Sequence, residues 1–355
     1  MNNHLVIMAG GVGSRFWPMS TAERPKQFID ALGVGRSLIQ LTFDRFEGIC
    51  DPNNVWVVTN KRYFDLVHEQ LPEVPVSNIL MEPCRRNTAP CIAYVSWSIF
   101  AKDPNANIVV TPSDAVVMVP NEFRRVINNC LNFVSNIDSI VTLGMLPTRP
   151  ETGYGYIQAD LSANEDKSKE IFRVEAFKEK PDLQTAEKYI HDYNNFYWNA
   201  GIFLFNVSTI INAFHKFTPG IAQIFDSMKN IYGTKEEQEV IDAKYPECED
   251  ISIDYAIMEK SHDIYVCPAS FGWSDLGTWG SLLTQSRRDI TGNAAIGKNI
   301  SMYDSSNCIV HTNTLKKVVI QGLNQYIIAE EAGQLLICKL SEEQRIKQFS
   351  GTDKK

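Results

Sequence analysis

The sequence lacks most of the signatures that name an enzyme at sight. It has no HExxH for a zinc hydrolase, no GxSxG for a serine hydrolase, no EF-hand loop and no GK[ST] of a Walker phosphate loop. CxxC is absent too. The eight cysteines lie far apart, so they read as buried free thiols in a reducing compartment, not as a disulfide framework. The six histidines are scattered, and none pairs with another at metal-ligand spacing. Basic charge is not in excess. Against 42 Asp and Glu stand 34 Lys and Arg, a net charge of −8, which argues against a nonspecific nucleic-acid binder but not against a local anion pocket. No apolar run approaches the roughly 18 residues of a membrane span, and no basic leader with a long apolar core opens the chain. The expectation is a cytoplasmic protein that contacts neither membrane nor nucleic acid. What is present is 355 residues, 44% of them hydrophobic, enough for a full core in two or three domains.

The chain is organised around His4 to Lys26. Leu5 to Met8, with Ala9 behind it, is an apolar run too short for a helix and fits a central parallel strand. Gly10, Gly11 and Gly13 follow. Without Cβ atoms they let the backbone turn sharply and bring several amides close to a ligand. The pattern is not the dinucleotide fingerprint, because GGVGSR lacks the third glycine at its place. Arg15 and Lys26 sharpen the reading. A guanidinium fork and an ammonium suit a polyphosphate whose charge grows on a leaving group. As ordinary surface cations, the same two residues would need no ligand.

Downstream, a helix over Ser37–Phe46, a strand over Val55–Thr59 and a helix over Tyr63–Leu71 give the alternation of an α/β fold with a mostly parallel sheet. EPCRRNTAP at 82–90 then runs into an apolar helix over Cys91–Ala101. Glu82 and Asn87 suit the edge of a purine, guanine especially. A helix cap at Asn87 or Thr88, with Pro90 in the first turn, would use the same residues. The strand Asn107–Val110 delivers Asp114 to the carboxyl edge of the sheet. There it suits magnesium, which takes hard oxygen donors, or it caps the next turn. Gly153 and Gly155 around Tyr154 mark a turn or a close ligand approach. Glu179 and Lys180 suit sugar hydroxyls and a phosphate, although a solvated strand end is the plainer local reading. Asn199 is the polar exception in the apolar strand Phe196–Phe205 and needs a partner, either a ligand hydroxyl or a nearby backbone group. Asp275, like Asp114, follows a strand near a helix start. From Asn293 short runs broken by Gly297, Gly322 and Gly333 suggest a small all-β appendix with a polar helical tail from Ser341.

In GGVGSRFWPMSTAERPKQF (10–28), EPCRRNTAP (82–90), TPSD (111–114), TRPETGYGYI (148–157), FKEKP (177–181), WNAGIF (198–203) and FGWSDLGTW (271–279), the chain resembles the sugar nucleotidylyltransferase family. Within that family it is similar to the short, single-activity mannose-1-phosphate guanylyltransferases, or GDP-mannose pyrophosphorylases. The likeness covers almost all of the first 285 residues, with the motifs in the expected order. It implies an α/β nucleotidyltransferase domain over 1–288, Rossmann-like, with a mixed, mostly parallel central sheet flanked by helices. A small β-rich domain, a short left-handed β-helix with a polar tail, is expected over 289–355.

The resemblance also implies a reaction and a site. GMP passes from GTP to α-D-mannose 1-phosphate, giving GDP-mannose and pyrophosphate, with Mg2+ as cofactor and a cytoplasmic homodimer as the assembly. By resemblance Ala9, Gly10, Gly11 and Gly13 hold the nucleotide, Arg15 and Lys26 contact its phosphates, and Glu82, Pro83, Asn87 and Thr88 line the guanine side. Asp114 and Asp275 hold magnesium and complete the catalytic set. Tyr154, Gly155, Glu179, Lys180 and Asn199 face the mannose phosphate. The family commonly has His after the TPSD aspartate, where this chain has Ala115, so any role of that imidazole is dispensable here. Longer members carry a second, sugar-phosphate isomerase domain; this chain ends too soon for one, and a single activity is expected. Two alternatives stand beside this reading. One is the same fold acting on fucose, glucose or heptose 1-phosphate, or using UTP. The other is a noncatalytic sugar-nucleotide sensor, against which the joint presence of Arg15, Lys26, Asp114 and Asp275 speaks.

Overall fold

The computed structural model describes residues 2–11, 14–162, 170–191, 195–313 and 316–351. The chain packs as two compact units that interleave in sequence. The first comprises Met1–Gly10, Phe43–Pro112 and Val117–Trp273; the second comprises Gly11–Thr42, Ser113–Val116 and Ser274–Lys355. The β-rich segment 289–355 falls wholly in the second unit, together with 11–42, 113–116 and 274–288.

The first unit is built on a 9-stranded sheet. Its strands are β1 (Asn3–Met8), β2 (Val55–Asn60), β3 (Ile79–Glu82), β4 (Asn107–Pro112), β5 (Ile140–Met145), β6 (Tyr156–Asp160), β7 (Phe172–Lys178), β8 (Phe196–Asn206) and β9 (Ile264–Ala269). Their spatial order is β3-β2-β1-β4-β8-β5-β9-β7-β6. Strands β3, β2, β1 and β4 run parallel, as do β5 and β9, and β8 lies antiparallel between β4 and β5. In β1, Leu5, Val6 and Ile7 are fully buried between two parallel neighbours, where a continuous apolar run belongs. The parallel strands therefore end together at Met8, Asn60, Glu82 and Pro112, and open-sheet proteins bind ligands at that carboxyl edge. Below the sheet, the helix Thr88–Lys102 is buried along nearly its whole length and packs on the helices Val207–Phe217 and Pro219–Asp226. All-round burial of this kind is what its mostly apolar sequence, interrupted in the middle only by the small Ser96 and Ser98, requires.

The second unit has strands β10 (Ala294–Ile296), β11 (Ile300–Tyr303), β12 (Ile309–Thr312), β13 (Val318–Gln321), β14 (Tyr326–Glu331) and β15 (Gln334–Lys339). Strands β10, β12 and β14 stack in parallel, β11 stacks on β13, and β15 turns back antiparallel on β14. Thr312 donates to Glu330 and Asn313 to Glu331, each pair 18 positions apart, so successive coils sit in register as in a β-helix. Gly297 is required at its corner, because a Cβ there would fall 2.3 Å from the Thr312 carbonyl oxygen. The core of this unit gathers Phe16, Leu38, Trp279, Ile309, Ile327 and Ile346. Glycine-loop segment and C-terminal strands thus share one core, with the Phe16 and Trp279 rings 5.3 Å apart. The tail, expected to be polar, buries Ile346 completely and leaves Phe349 exposed among its polar residues.

Candidate active site

In the first unit, Ala9 is stitched to β2. Its N–H donates to the Val58 carbonyl at 2.8 Å, and its own carbonyl accepts the Thr59 hydroxyl at 3.0 Å. Gly10 follows, and a Cβ there would stand 3.2 Å from Glu82 Oε2, so the bare glycine lets the turn lie on that carboxyl. The Arg85 guanidinium donates to the Gly10 carbonyl at 3.2 Å. Glu82 is buried and accepts a hydrogen bond from the Tyr245 hydroxyl. Burial pushes its carboxyl up to about 7, against the opposing pull of Tyr245 and Arg85. Pro83, half-buried, continues the strand end. Asn87 takes the capping role: its side-chain oxygen accepts the Thr88 N–H at 3.0 Å, with the residue exposed at φ 64°. The Thr88 hydroxyl accepts the Ile253 N–H at 2.9 Å and so ties this corner to the 251–254 segment.

That segment leads to a second group in the same unit. Strand β8 carries a bulge: Thr142 pairs with Phe203 but Gly144 pairs with Asn199, and Gly201 takes φ 69° between them. Bulges beside functional sites re-aim side chains, and here the bulge turns the Asn199 amide onto three neighbours. Its Oδ1 accepts the Thr142 hydroxyl at 3.0 Å and the Gly201 N–H at 3.1 Å, while its Nδ2 donates to Asp254 Oδ1 at 3.1 Å. The Asn199 backbone N–H donates to the Gly155 carbonyl at 2.8 Å. Gly155 in turn abuts Glu179, since a Cβ at 155 would lie 2.6 Å from Glu179 Oε2. Glu179 is buried, ion-paired to the exposed Lys180 ammonium, and its backbone N–H donates to Glu259 Oε1 at 3.2 Å. Tyr154 stands edge-on to Trp198 at 5.2 Å and to Trp273 at 5.5 Å, with the Arg149 guanidinium 5.3 Å from the Trp198 ring. Sequence reasoning assigned no role to Asp254, Glu259 or Tyr245. For Asp254 a signal existed, an acid set among Ile251, Ile253, Ala256, Ile257 and Met258. Its carboxyl is pushed up to about 6, first by burial and then by the neighbouring Glu179 charge.

The remaining predicted residues belong to the second unit. Lys26, in the turn Lys26–Phe28, is buried. Its ammonium donates to the carbonyls of Asp275 at 2.7 Å and Leu276 at 3.0 Å, and pairs with Asp114 Oδ2 at 3.1 Å. Three N–H donors meet three oxygens, and the lysine reaches the Asp275 carbonyl across 249 positions of sequence while also pairing with Asp114. Asp275 also closes its own loop, Oδ1 accepting the Gly277 N–H at 3.0 Å. Gln27 fastens the glycine loop by donating to the Gly11 carbonyl at 2.9 Å. Arg15 is exposed on the turn Ser14–Phe16 and has no ion-pair partner among the described residues. Gly13 lies outside the described residues. Ala115 is buried. No cluster of three or more His, Cys, Asp or Glu side chains suited to a metal occurs among the described residues. Lys26 meets the Asp114 carboxylate and the Asp275 backbone carbonyl, and carboxylates such as those of Asp114 and Asp275 are the hard oxygen donors that magnesium takes one or two at a time, filling its shell with water and substrate oxygens.

Residues 4–292 match the nucleotidyl transferase family. The chain is 34% identical to mannose-1-phosphate guanylyltransferase 2 of Escherichia coli O157:H7, over 97% of this chain and 72% of that protein. It is 36% identical to a mannose-1-phosphate guanylyltransferase of Salmonella montevideo, again over 97% and 72% of the two chains. Among solved structures it resembles a mannose-1-phosphate geranyltransferase from Thermus thermophilus, with a TM-score of 0.87, 25% identity and 99% of each chain covered.

Proposed function

Because the chain belongs to the nucleotidyl transferase family, we propose that it transfers GMP from GTP to α-D-mannose 1-phosphate, forming GDP-mannose and releasing pyrophosphate. The observation that carries this reading is the buried Lys26 ammonium holding Asp114 and the Asp275 loop, in a chain at least 34% identical to two proteins named for this reaction. A phosphate oxygen of the sugar phosphate attacks the α-phosphorus in line. The bond from that phosphorus to the bridging oxygen breaks, and its electron pair leaves with pyrophosphate. The nucleophile is already an anion, so no general base has to be found. Work is left for positioning and for charge neutralisation.

Arg15, exposed on its turn, is the cation that reaches the phosphates. Lys26, its donors committed to protein oxygens, fixes the Asp114 carboxylate and the backbone of the Asp275 loop and contributes its charge at longer range. Bound magnesium would neutralise the phosphoryl oxygens, with Asp114 and Asp275 as its protein ligands. The turn at Ala9, Gly10 and Gly11 and the 82–88 corner hold the nucleotide. Gly155, Glu179, Lys180 and Asn199, flanked by Tyr154, hold the sugar phosphate: Glu179 accepts from hydroxyls and the Lys180 ammonium meets the phosphate. Chromatographic detection of GDP-mannose from GTP and mannose 1-phosphate tests the proposal; purified folded protein that forms none contradicts it.

A further inference from the structure

The Asn199 amide is almost fully committed. Its carbonyl oxygen is held by the Gly201 N–H, which can only donate, and by the Thr142 hydroxyl, which shares its proton with the Ile202 carbonyl at 3.2 Å. That fixes which end of the amide is which. The NH2 group must face Asp254, and it does, at 3.1 Å. One amide proton is left over among the described residues. Asn199 can therefore offer a ligand a donor but not an acceptor.

Asp254 is placed for this by an unusual piece of backbone. Asp254–Met258 is a π-helical turn, in which the Glu259 N–H donates to the Asp254 carbonyl at 2.9 Å, five residues back. In an α-helix, positions five apart point about 140° away from each other. The wider π turn brings them round to one side, so that Asp254 meets the Asn199 side chain while Glu259 accepts the Glu179 N–H at 3.2 Å. Single π turns are rare and concentrate at functional sites. Here one turn braces two residues of the sugar-phosphate group from behind.

We infer that Asp254 is a positioning residue for sugar-phosphate binding: through its hydrogen bond it locks Asn199 as a donor directed at an acceptor oxygen of the sugar phosphate. This rests on the proposed role of Asn199. Asp254 itself touches no substrate, and a change there should act on sugar-phosphate affinity and leave nucleotide affinity alone. Asp254→Ala removes the acceptor and frees the amide to rotate. Losing a hydrogen bond to a charged partner corresponds to about a tenfold or greater rise in KM for the sugar phosphate. Asp254→Asn keeps a carbonyl oxygen in the same place and should recover most of that loss.

The test is steady-state turnover of GTP with mannose 1-phosphate by wild type, Asp254→Ala, Asp254→Asn, Asn199→Ala and the double Asp254→Ala/Asn199→Ala variant, with thermal unfolding of each. The expected result is a raised sugar-phosphate KM in both alanine variants, an unchanged KM for GTP, recovery in Asp254→Asn, and a double variant no worse than Asn199→Ala alone. If Asn199→Ala raises the sugar-phosphate KM while Asp254→Ala does not, or if the two effects simply add, the inference is overturned and the role of Asn199 stands. If Asn199→Ala leaves that KM unchanged, the role of Asn199 itself is wrong and the inference falls with it. Asp254→Asn, which preserves the shape of the buried side chain, decides the matter if Asp254→Ala fails to fold: a GTP KM raised as much as the sugar-phosphate KM in that variant overturns the inference.

Discussion

Gly155→Ala should separate activity from stability. The new Cβ would lie 2.6 Å from Glu179 Oε2, while its contacts with Asn199 Cβ and Phe177 Cε1, both at 3.4 Å, are ordinary. Only the carboxylate has to yield. To reach an ordinary contact of 3.4 Å it must retreat by about 0.8 Å. Glu179 can do so by rotating its flexible end, so unfolding free energy should change by no more than about 1 kcal/mol. Binding and turnover have no such slack, because a displacement of about 1 Å in a positioning group can cost on the order of 10²-fold. The assay is kcat/KM for mannose 1-phosphate at saturating GTP, beside a thermal melt. Shortening the displaced acid in Gly155→Ala/Glu179→Asp should restore part of the loss. A Gly155→Ala enzyme with wild-type kcat/KM would show that Glu179 does not contact the sugar phosphate.

Lys26→Met leaves Asp114 without its cation and two carbonyls without their donor. Turnover should fall about 10²-fold or more, and the melting temperature should drop by the equivalent of roughly 1–3 kcal/mol; unchanged values in both would remove Lys26 from the account. Asp114→Asn and Asp275→Asn should each abolish magnesium-stimulated pyrophosphate release while the protein still melts cooperatively, and a wild-type rate in either would sink the metal assignment. Glu82 has a folded pKa of about 7 against an ordinary 4.5. The folded state therefore binds that proton more tightly than the unfolded chain. The resulting stabilisation is complete below about pH 4.5 and is lost as pH rises through 7, with a ceiling of about 3 kcal/mol. The stability difference between wild type and Glu82→Gln, followed by denaturant titration, should shift against wild type across that window; a pH-independent difference would mean that Glu82 is not held in a protonating environment.

What the sequence disclosed was mostly local. Leu5–Met8 followed by glycines reads as a buried strand and turn because burial on both faces leaves an unbroken apolar run. Asn87 offered both a helix cap and a purine contact, and the cap is legible because Asn or Thr before an apolar helix with an early proline suits a helix start. Asp114 and Asp275 could each be placed at a strand end, but their common attachment to Lys26 is tertiary and no spacing could display it. The same holds for the packing of 11–42 with 274–355 around Trp279. In the β-rich segment the runs were visible except β11, whose Ile300–Tyr303 is half-exposed and weakly patterned. The 18-residue step emerges only from the pairing of coils in space, in the strand register of β12 on β14 and β11 on β13 and in the side-chain ladders. Asp254 stands out in the sequence as an acid among apolar neighbours, but its partnership with Asn199 was hidden for a different reason. An α-helical reading of 253–258 sends positions 254 and 259 to different faces, and only the π turn turns both toward the residues they brace.

The central claim is tested most directly by pyrophosphate release from a grid of the four nucleoside triphosphates against mannose, glucose, fucose and heptose 1-phosphates, with and without Mg2+. The account predicts strong, magnesium-dependent release for GTP with mannose 1-phosphate and little elsewhere. Preference for UTP or for another sugar 1-phosphate would contradict the proposed substrates, and release from no pair, by protein that binds nucleotide, would contradict catalysis itself.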